Sequence, residues 1–321
     1  MTAPRIAATA LATVLLLGTA QGVLAQSRPD IPFAPIEDTT LKDPDNPAKK
    51  FRIDFARVES EFPLTREHLM RITPENIAGL TQEEFDQLYG RLTAGPIPDG
   101  QYAGDLFFSR GDAISPGADL QTRLEQILGG VPGRVAGAGV DALEKIGSEL
   151  WKGKVFFRDE RILRNMIDDD LVIRALTDRP HPPDTNSPQT RQVAADTWLG
   201  RRFRTNTVWL LFPAKLYCGQ SLLDGRRESV IVDYNYNDEI DGYRKSPDSL
   251  AGRGGLRIRD EIRMIRPGFY LGRAYTNRAF LLNFTLYNAE VAEREGQAFA
   301  AGGNVAEDCW PGEQARKTAV R

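Results

Sequence analysis

The hydrophobic positions of this chain follow three successive regimes: an unbroken apolar run at the start, helical spacing up to about residue 95, and two-residue alternation through most of the second half. Alternation places successive side chains on opposite faces of a strand, so it marks sheet with one apolar face. Val230, Val232, Tyr234 and Tyr236 alternate with Ser229, Asp233 and Asn235. Leu256, Ile258, Ile262 and Met264 alternate with Arg257, Arg259, Glu261 and Arg263. Val208 to Phe212 is a continuous apolar run, Pro267-Gly268 turns the chain into a strand from Phe269 to Tyr275, and Ala279 to Tyr287 reads as another. Earlier, Gln101 to Ser109 and Trp151 to Phe157 are also strand-like, and Ser221 to Gly225 reads as a hairpin turn. Several strands at short spacing predict a sandwich or a barrel.

Helical spacing organises the remainder. Between Leu64 and Leu92 the pattern predicts two or three short helices, with Thr73-Pro74 as one start and Thr81-Gln-Glu-Glu84 as a capping box for another. Phe51, Ile53 and Phe55 alternate with polar residues as a short strand would. Leu120, Leu124, Ile127 and Leu128, then Val140 to Leu150, predict a helical insertion at about 117–150. Arg179 to Arg191 is a proline-rich loop, and a brief helix from Val291 leads into a glycine-rich tail.

The opening run fixes the expected compartment. Arg5 precedes an apolar stretch from Ile6 to Ala20, and Val23-Leu24-Ala25 carries the small-x-small pattern of a signal-peptidase site. The run is shorter than the ~20 residues that span a bilayer. Cleavage after Ala25 would export a chain beginning at Gln26, placing it in a periplasm or outside the cell. The predicted organisation is then signal peptide 1–25, extended arm 26–50, helical lead-in 51–95, barrel domain 96–290 and tail 291–321.

Composition removes several classes of chemistry. Net charge is −3, or −4 once Arg5 leaves with the leader, and no basic block offers an electrostatic footprint for nucleic acid. Cys218 and Cys309 are the only cysteines, and an oxidising compartment favours their pairing; two separate thiols are the alternative. Two histidines, His68 and His181, cannot supply a zinc cluster. Gly219-Gln-Ser221-Leu-Leu lacks the second glycine of a nucleophile elbow. Asp168-Asp-Asp170 and the group Asp238, Glu239 and Asp241 lack calcium-loop spacing and read as turns or helix ends, so no metal is assigned.

Gly100-Gln-Tyr102-Ala-Gly104, followed by Trp151-Lys-Gly153-Lys154-Val-Phe156, resembles the opening of GXWXG-type domains, which are related to nitrobindin-like and lipocalin-like barrels. Tyr102 stands where that family carries tryptophan. The resemblance covers about a fifth of the chain and implies a calycin-like β-barrel with an apolar pocket. The expected fold is therefore mainly β with helical insertions, a largely antiparallel barrel preceded by N-terminal helices. Haem, which nitrobindins use, needs an axial ligand such as histidine. Neither histidine falls in a predicted strand, so no cofactor is carried over.

Candidate chemistry concentrates between Leu256 and Tyr275. Asp260 shares a strand face with Leu256, Ile258, Ile262 and Met264, where a carboxylate must be paired or protonated. Arg273 or Arg227 from a neighbouring strand is its expected partner. Such a pair either sets strand register or orients a polar ligand. Arg257, Arg259 and Arg263 share the opposite face with Glu261, which is either solvated or, turned inward, an anion site. Tyr234, Tyr236, Tyr270 and Tyr275 either pack in the core or line a pocket. The strand-rich second half, the Gly/aromatic motifs that resemble such barrels and the lack of a catalytic triad or metal cluster predict, by analogy of fold, a binding protein for a hydrophobic or lipid-like small molecule. The alternatives are an enzyme with Asp260 or Glu261 as base and Arg and Tyr groups stabilising charge, or an envelope module docking through the arm or touching a membrane surface.

Overall fold

The computed structural model describes residues 28–35, 53–107, 151–168, 190–192 and 207–313. The leader and its cleavage site, residues 36–50 of the arm, the insertion at 117–150, most of the proline-rich loop with His181, and Asp169 and Asp170 lie outside the described residues.

Eight antiparallel strands close into a barrel. They are β1 (Gly100–Phe107), β2 (Trp151–Phe157), β3 (Ile162–Asp168), β5 (Thr207–Gln220), β6 (Glu228–Asp233), β7 (Ile258–Arg266), β8 (Phe269–Thr276) and β9 (Ala279–Tyr287). Around the ring the order is β3-β2-β1-β9-β8-β7-β6-β5, and β5 returns to pair with β3. A short β4 (Thr190–Gln192) pairs with the first residues of β5 outside the ring. Closure leaves none of the eight with a free edge along its whole length.

Strand alternation fills the lumen with Tyr102, Phe156, Leu163, Ile167, Val230, Val232, Ile262, Met264, Tyr270, Phe284 and Leu286. Two bulges keep long strands in phase with it. At Phe212, where φ is +50°, the β3–β5 register shifts between Leu163 and Asn165. Trp209 and Leu211 face inward before the bulge, Phe212 itself faces inward, and Ala214 and Leu216 continue after it. One extra residue moves the inward set from odd to even positions, as a bulge must. At Gly153, φ is +132° and a Cβ would lie 2.0 Å from the Tyr102 carbonyl oxygen, so only glycine fits. That bulge turns both Trp151 and Lys154 toward the lumen.

The N-terminal region covers the outer face of β6 to β9. The sequence around Phe51 to Phe55 predicts a short strand, but Phe55–Glu61 is a helix, α1, because Asp54 caps it by accepting from the Ala56 and Arg57 amides. Helix α2 (Arg66–Arg71) is closed by Thr65 and the His68 ring in a capping box, which gives His68 a structural task. Thr73 starts a turn into a 3-10 segment, Ile77–Gly79, rather than an α-helix. Helix α3 (Gln82–Arg91) begins at the Thr81/Glu84 capping box read from the sequence. Ile72, Ile77, Leu80, Phe85, Leu88 and Tyr89 pack on Ile265, Phe269 and Leu271 of the sheet. Residues 28–35 lie extended against α3, where the Gln87 side chain bonds both the amide and the carbonyl of Ala34.

The far end of the lumen is sealed by the tail beyond α4 (Ala289–Ala300). Asp308 accepts from the Ile97 amide at 2.8 Å, and Glu307 from the Gly95 amide at 2.8 Å. Trp310 and Glu228 exchange bonds at 2.9 and 3.0 Å. Cys309 is buried in the lumen core and forms a disulfide with Cys218 of β5 across a sequence separation of 91. A crosslink closing a loop of that length stabilises by at most ~4–5 kcal/mol in the chain-entropy treatment. Reduction, or the double substitution Cys218→Ser/Cys309→Ser, is expected to lower the melting temperature by roughly 10 °C. Scanning calorimetry with and without reductant measures it, and an unchanged melting temperature would mean that the tail contacts alone hold the seal.

Candidate functional site

At the opposite end, the lumen keeps a cavity of about 140 Å³. Its walls are apolar: Leu106, Trp151, Ile167, Phe212, Ile258, Ala274, Leu282 and Phe284. Gly104 leaves the space occupied by the Trp151 indole, since a Cβ there would sit 2.2 Å from the ring. The glycine of the Gly-x-Tyr-x-Gly stretch thus serves the wall of the cavity.

One polar cluster interrupts this wall. Lys154 from β2 forms a salt bridge with Asp260 from β7 at 2.9 Å, with side-chain exposures of only 3% and 5%. The Lys154 ammonium also donates to Asn165 Oδ1 at 2.9 Å and to Tyr234 Oη at 2.6 Å. Its three protons therefore meet three acceptors. The rings of Trp151, Tyr234 and Phe284 surround it at 5.5, 5.3 and 5.3 Å. Asn165 is committed as well. Its amide donates to the Phe212 carbonyl at 2.9 Å and to Tyr234 Oη at 3.0 Å, and its oxygen also accepts from the Trp151 indole at 2.9 Å. The Phe212 bulge supplies that carbonyl, while Asp248 accepts from the Phe212 amide at 2.7 Å. Tyr234 donates to Asp260 Oδ2 at 3.2 Å.

Burial lowers the pKa of Lys154, opposed by the charge and hydrogen bond of Asp260. Burial, then the Asp260 charge, raises that of Tyr234 well above its ordinary value. Both bonds to Asp260 end on Oδ2. Oδ1 accepts none among the described residues, and it is not sealed from the cavity that Asp260 lines.

Asp260 thus lies on the apolar face where its spacing puts it, but its expected partners do not. Arg273 pairs in register with Glu261, and like Arg227 it belongs to the outer face. Lys154 instead reaches Asp260 across the lumen. Lys154 and Asn165 escaped the sequence reading, although Lys154 shares the parity of Phe156 and so is a second charge on an apolar strand face. Of the four tyrosines, Tyr234 and Tyr270 face the lumen, with Tyr270 donating to the Pro96 carbonyl at 2.7 Å. Tyr275 is buried on the outer face beside Arg273, and Tyr236 is exposed. Asp238 and Glu239 bind Arg253 and Lys215.

None of the arginine row is lumenal: the helical layer covers Arg263 and Glu261, whereas Arg257 and, in part, Arg259 stay at the solvent side. Arg257 precedes β7 and is exposed. Arg259 bonds Glu261 and the Gln220 carbonyl. Fully buried Arg263 spends all five donors, on Ser229 Oγ, the carbonyls of Tyr89, Asp224 and Arg227, and Asp224 Oδ2. Arg273 joins β8 to Asp86 of α3, with Asn283 and Tyr275 alongside. Arg227 reaches Glu59 of α1. These groups fasten the helices to the barrel.

Comparison of the chain with known protein families, with curated proteins and with solved structures finds no match.

Two predictions follow from the polar clusters. Lys154→Met or Asp260→Asn alone should cost roughly 3–5 kcal/mol, because each strands a buried partner, whereas Lys154→Met/Asp260→Leu should cost less than either. Urea unfolding of the three variants measures the coupling, and simply additive losses would contradict it. On the outer face, burial would raise the Asp224 pKa, but hydrogen bonding from Arg226 and the charges of Arg263 and Arg226 outweigh it and hold it low. A carboxyl depressed by folding contributes stability above its unfolded pKa and loses it as pH falls through the folded value. The stability gap between the unsubstituted protein and Asp224→Asn should therefore be full at neutral pH and shrink below about pH 4. Chemical denaturation across that range reads it, and a gap independent of pH would refute the assignment.

Proposed function

We propose that this protein is an exported binding protein that holds a small hydrophobic molecule, or one end of a longer lipid-like one, in the lumen of its barrel. The observation that carries this reading is the cavity itself, an apolar chamber of about 140 Å³ with a single polar cluster in its wall. Ligand sites of this kind combine apolar walls with few polar groups that fix orientation. A chamber of this volume suits a molecule about the size of a single aromatic ring. The apolar leader and the Cys218–Cys309 bridge support export into an oxidising compartment.

An acid–base enzyme centred on Asp260 is less well supported. The lysine protons and the tyrosine proton are all spent inside the cluster, which makes it a fixed dipole rather than a proton relay. The calycin-like resemblance favours binding in the same way, as an analogy of fold.

Native mass spectrometry of the mature protein, gently purified from its own host, tests the proposal. The expected result is a chain starting at Gln26 that carries a small apolar molecule released on unfolding. Ala274→Leu, which narrows the chamber, should abolish retention without lowering the melting temperature. A ligand-free chain that also fails to take up small aromatic compounds would count against the reading.

A further inference from the structure

We infer that the lumenal site selects neutral molecules that donate a hydrogen bond, alcohols or phenols of single-ring size, and that Asp260 Oδ1 is the group that receives them. This rests on the binding reading above and adds the chemical class of the ligand.

The polar capacity of the wall decides it. Every proton of the Lys154 ammonium is used, by Asn165, Tyr234 and Asp260. Both described donations from the Asn165 amide are internal, to Phe212 and Tyr234. The Trp151 indole donates to Asn165, and Tyr234 donates to Asp260. No donor of the cluster is left to meet a ligand's carbonyl or carboxylate. What remains is one acceptor, the second oxygen of a carboxylate whose side chain is almost wholly buried.

Charge narrows the class further. Lys154 and Asp260 together are neutral, so a charged ligand would bring an uncompensated charge into an apolar chamber. A carboxylate would meet the bare oxygen of Asp260 with no donor to relieve it. An ammonium would find the faces of Trp151, Tyr234 and Phe284 already occupied by Lys154. A hydroxyl satisfies Oδ1 through a charge-assisted hydrogen bond and adds no charge. The body of the ligand then lies against Leu106, Ile258 and Leu282.

Calorimetric titration of the mature protein with p-cresol, toluene, benzoate and benzylammonium tests this with probes of matched size. The expected order places p-cresol at least tenfold above toluene, as one hydrogen bond to a charged group warrants. Benzoate and benzylammonium should bind at least tenfold more weakly than p-cresol. Equal affinity for p-cresol and toluene, or a preference for either ion, would overturn the inference while leaving the binding reading intact. No binding by any of the four would remove both. Asp260→Asn adds a second readout: its amide oxygen stays on Lys154 and its NH2 turns to the chamber. The preference should then reverse, toward acetophenone over p-cresol, and an unreversed preference in the folded variant would also refute the role of Oδ1.

Discussion

Among the described residues, a single ion pair crosses the diameter of this barrel. Strands β2 and β7 are four places apart in either direction around the ring of eight, so Lys154 and Asp260 meet through the interior and not along the sheet. Both side chains are nearly buried, at 3% and 5% exposure. Desolvating an ammonium and a carboxylate costs several kcal/mol each, and their mutual attraction offsets this only when the remaining hydrogen-bonding capacity is met. Asn165 and Tyr234 meet it on the lysine side. The order of the lumen at that end follows from holding these four side chains in one geometry.

Two irregularities in the backbone make that geometry available. The Gly153 bulge brings Trp151 and Lys154 to the same side of β2, and the indole then fixes Asn165. The Phe212 bulge places a carbonyl where the Asn165 amide can reach it and re-phases β5 so that its second half still lines the lumen. A strand without either bulge would keep its alternation and lose the site. Glycine at 104 belongs to the same set, since the indole fills the volume a side chain would need. In each case a local departure from ideal strand geometry is compensated by a contact that only the closed barrel supplies.

Much of the fold was legible in the chain, because alternation is a direct image of a sheet with unlike faces. It located β1, β2 and β5 to β9, and the spacing of Thr81 and Glu84 located α3. It missed β3, where Arg164 and Asn165 interrupt the apolar positions and both are buried for specific polar reasons, and β4, whose first two residues end the stretch read as a proline-rich loop. The site was half legible. Alternation put Asp260 on the apolar face, but partners were sought on adjacent strands, the rule for an open sheet. Closure makes the far wall equally near, and matching Lys154 with Asp260 as two opposite charges on apolar faces would have found the pair. In the arginine row Arg257 is solvated as one reading had it, but Arg263 and Glu261 were misjudged for a related reason. Period two distinguishes two faces, yet it does not say that the second one is covered by helices carrying Asp86 and Glu59.

The two polar networks differ in what they leave over. On the outer face Arg263 meets five acceptors and its neighbours bind helix to strand, while what that network leaves over, Glu261 Oε2 and Arg227 Nε, is buried where no ligand reaches it. In the lumen the donors of the cluster are exhausted, and the one carboxylate oxygen left over lines the cavity instead of being sealed. A carboxylate oxygen left without a protein donor in an apolar wall is costly, and a register pin alone would be better served by a fully matched cluster or by apolar packing. Under the proposed binding function, a ligand's donor recovers that cost. On that physical ground the proposed ligand site is the chamber and not the more heavily charged outer face.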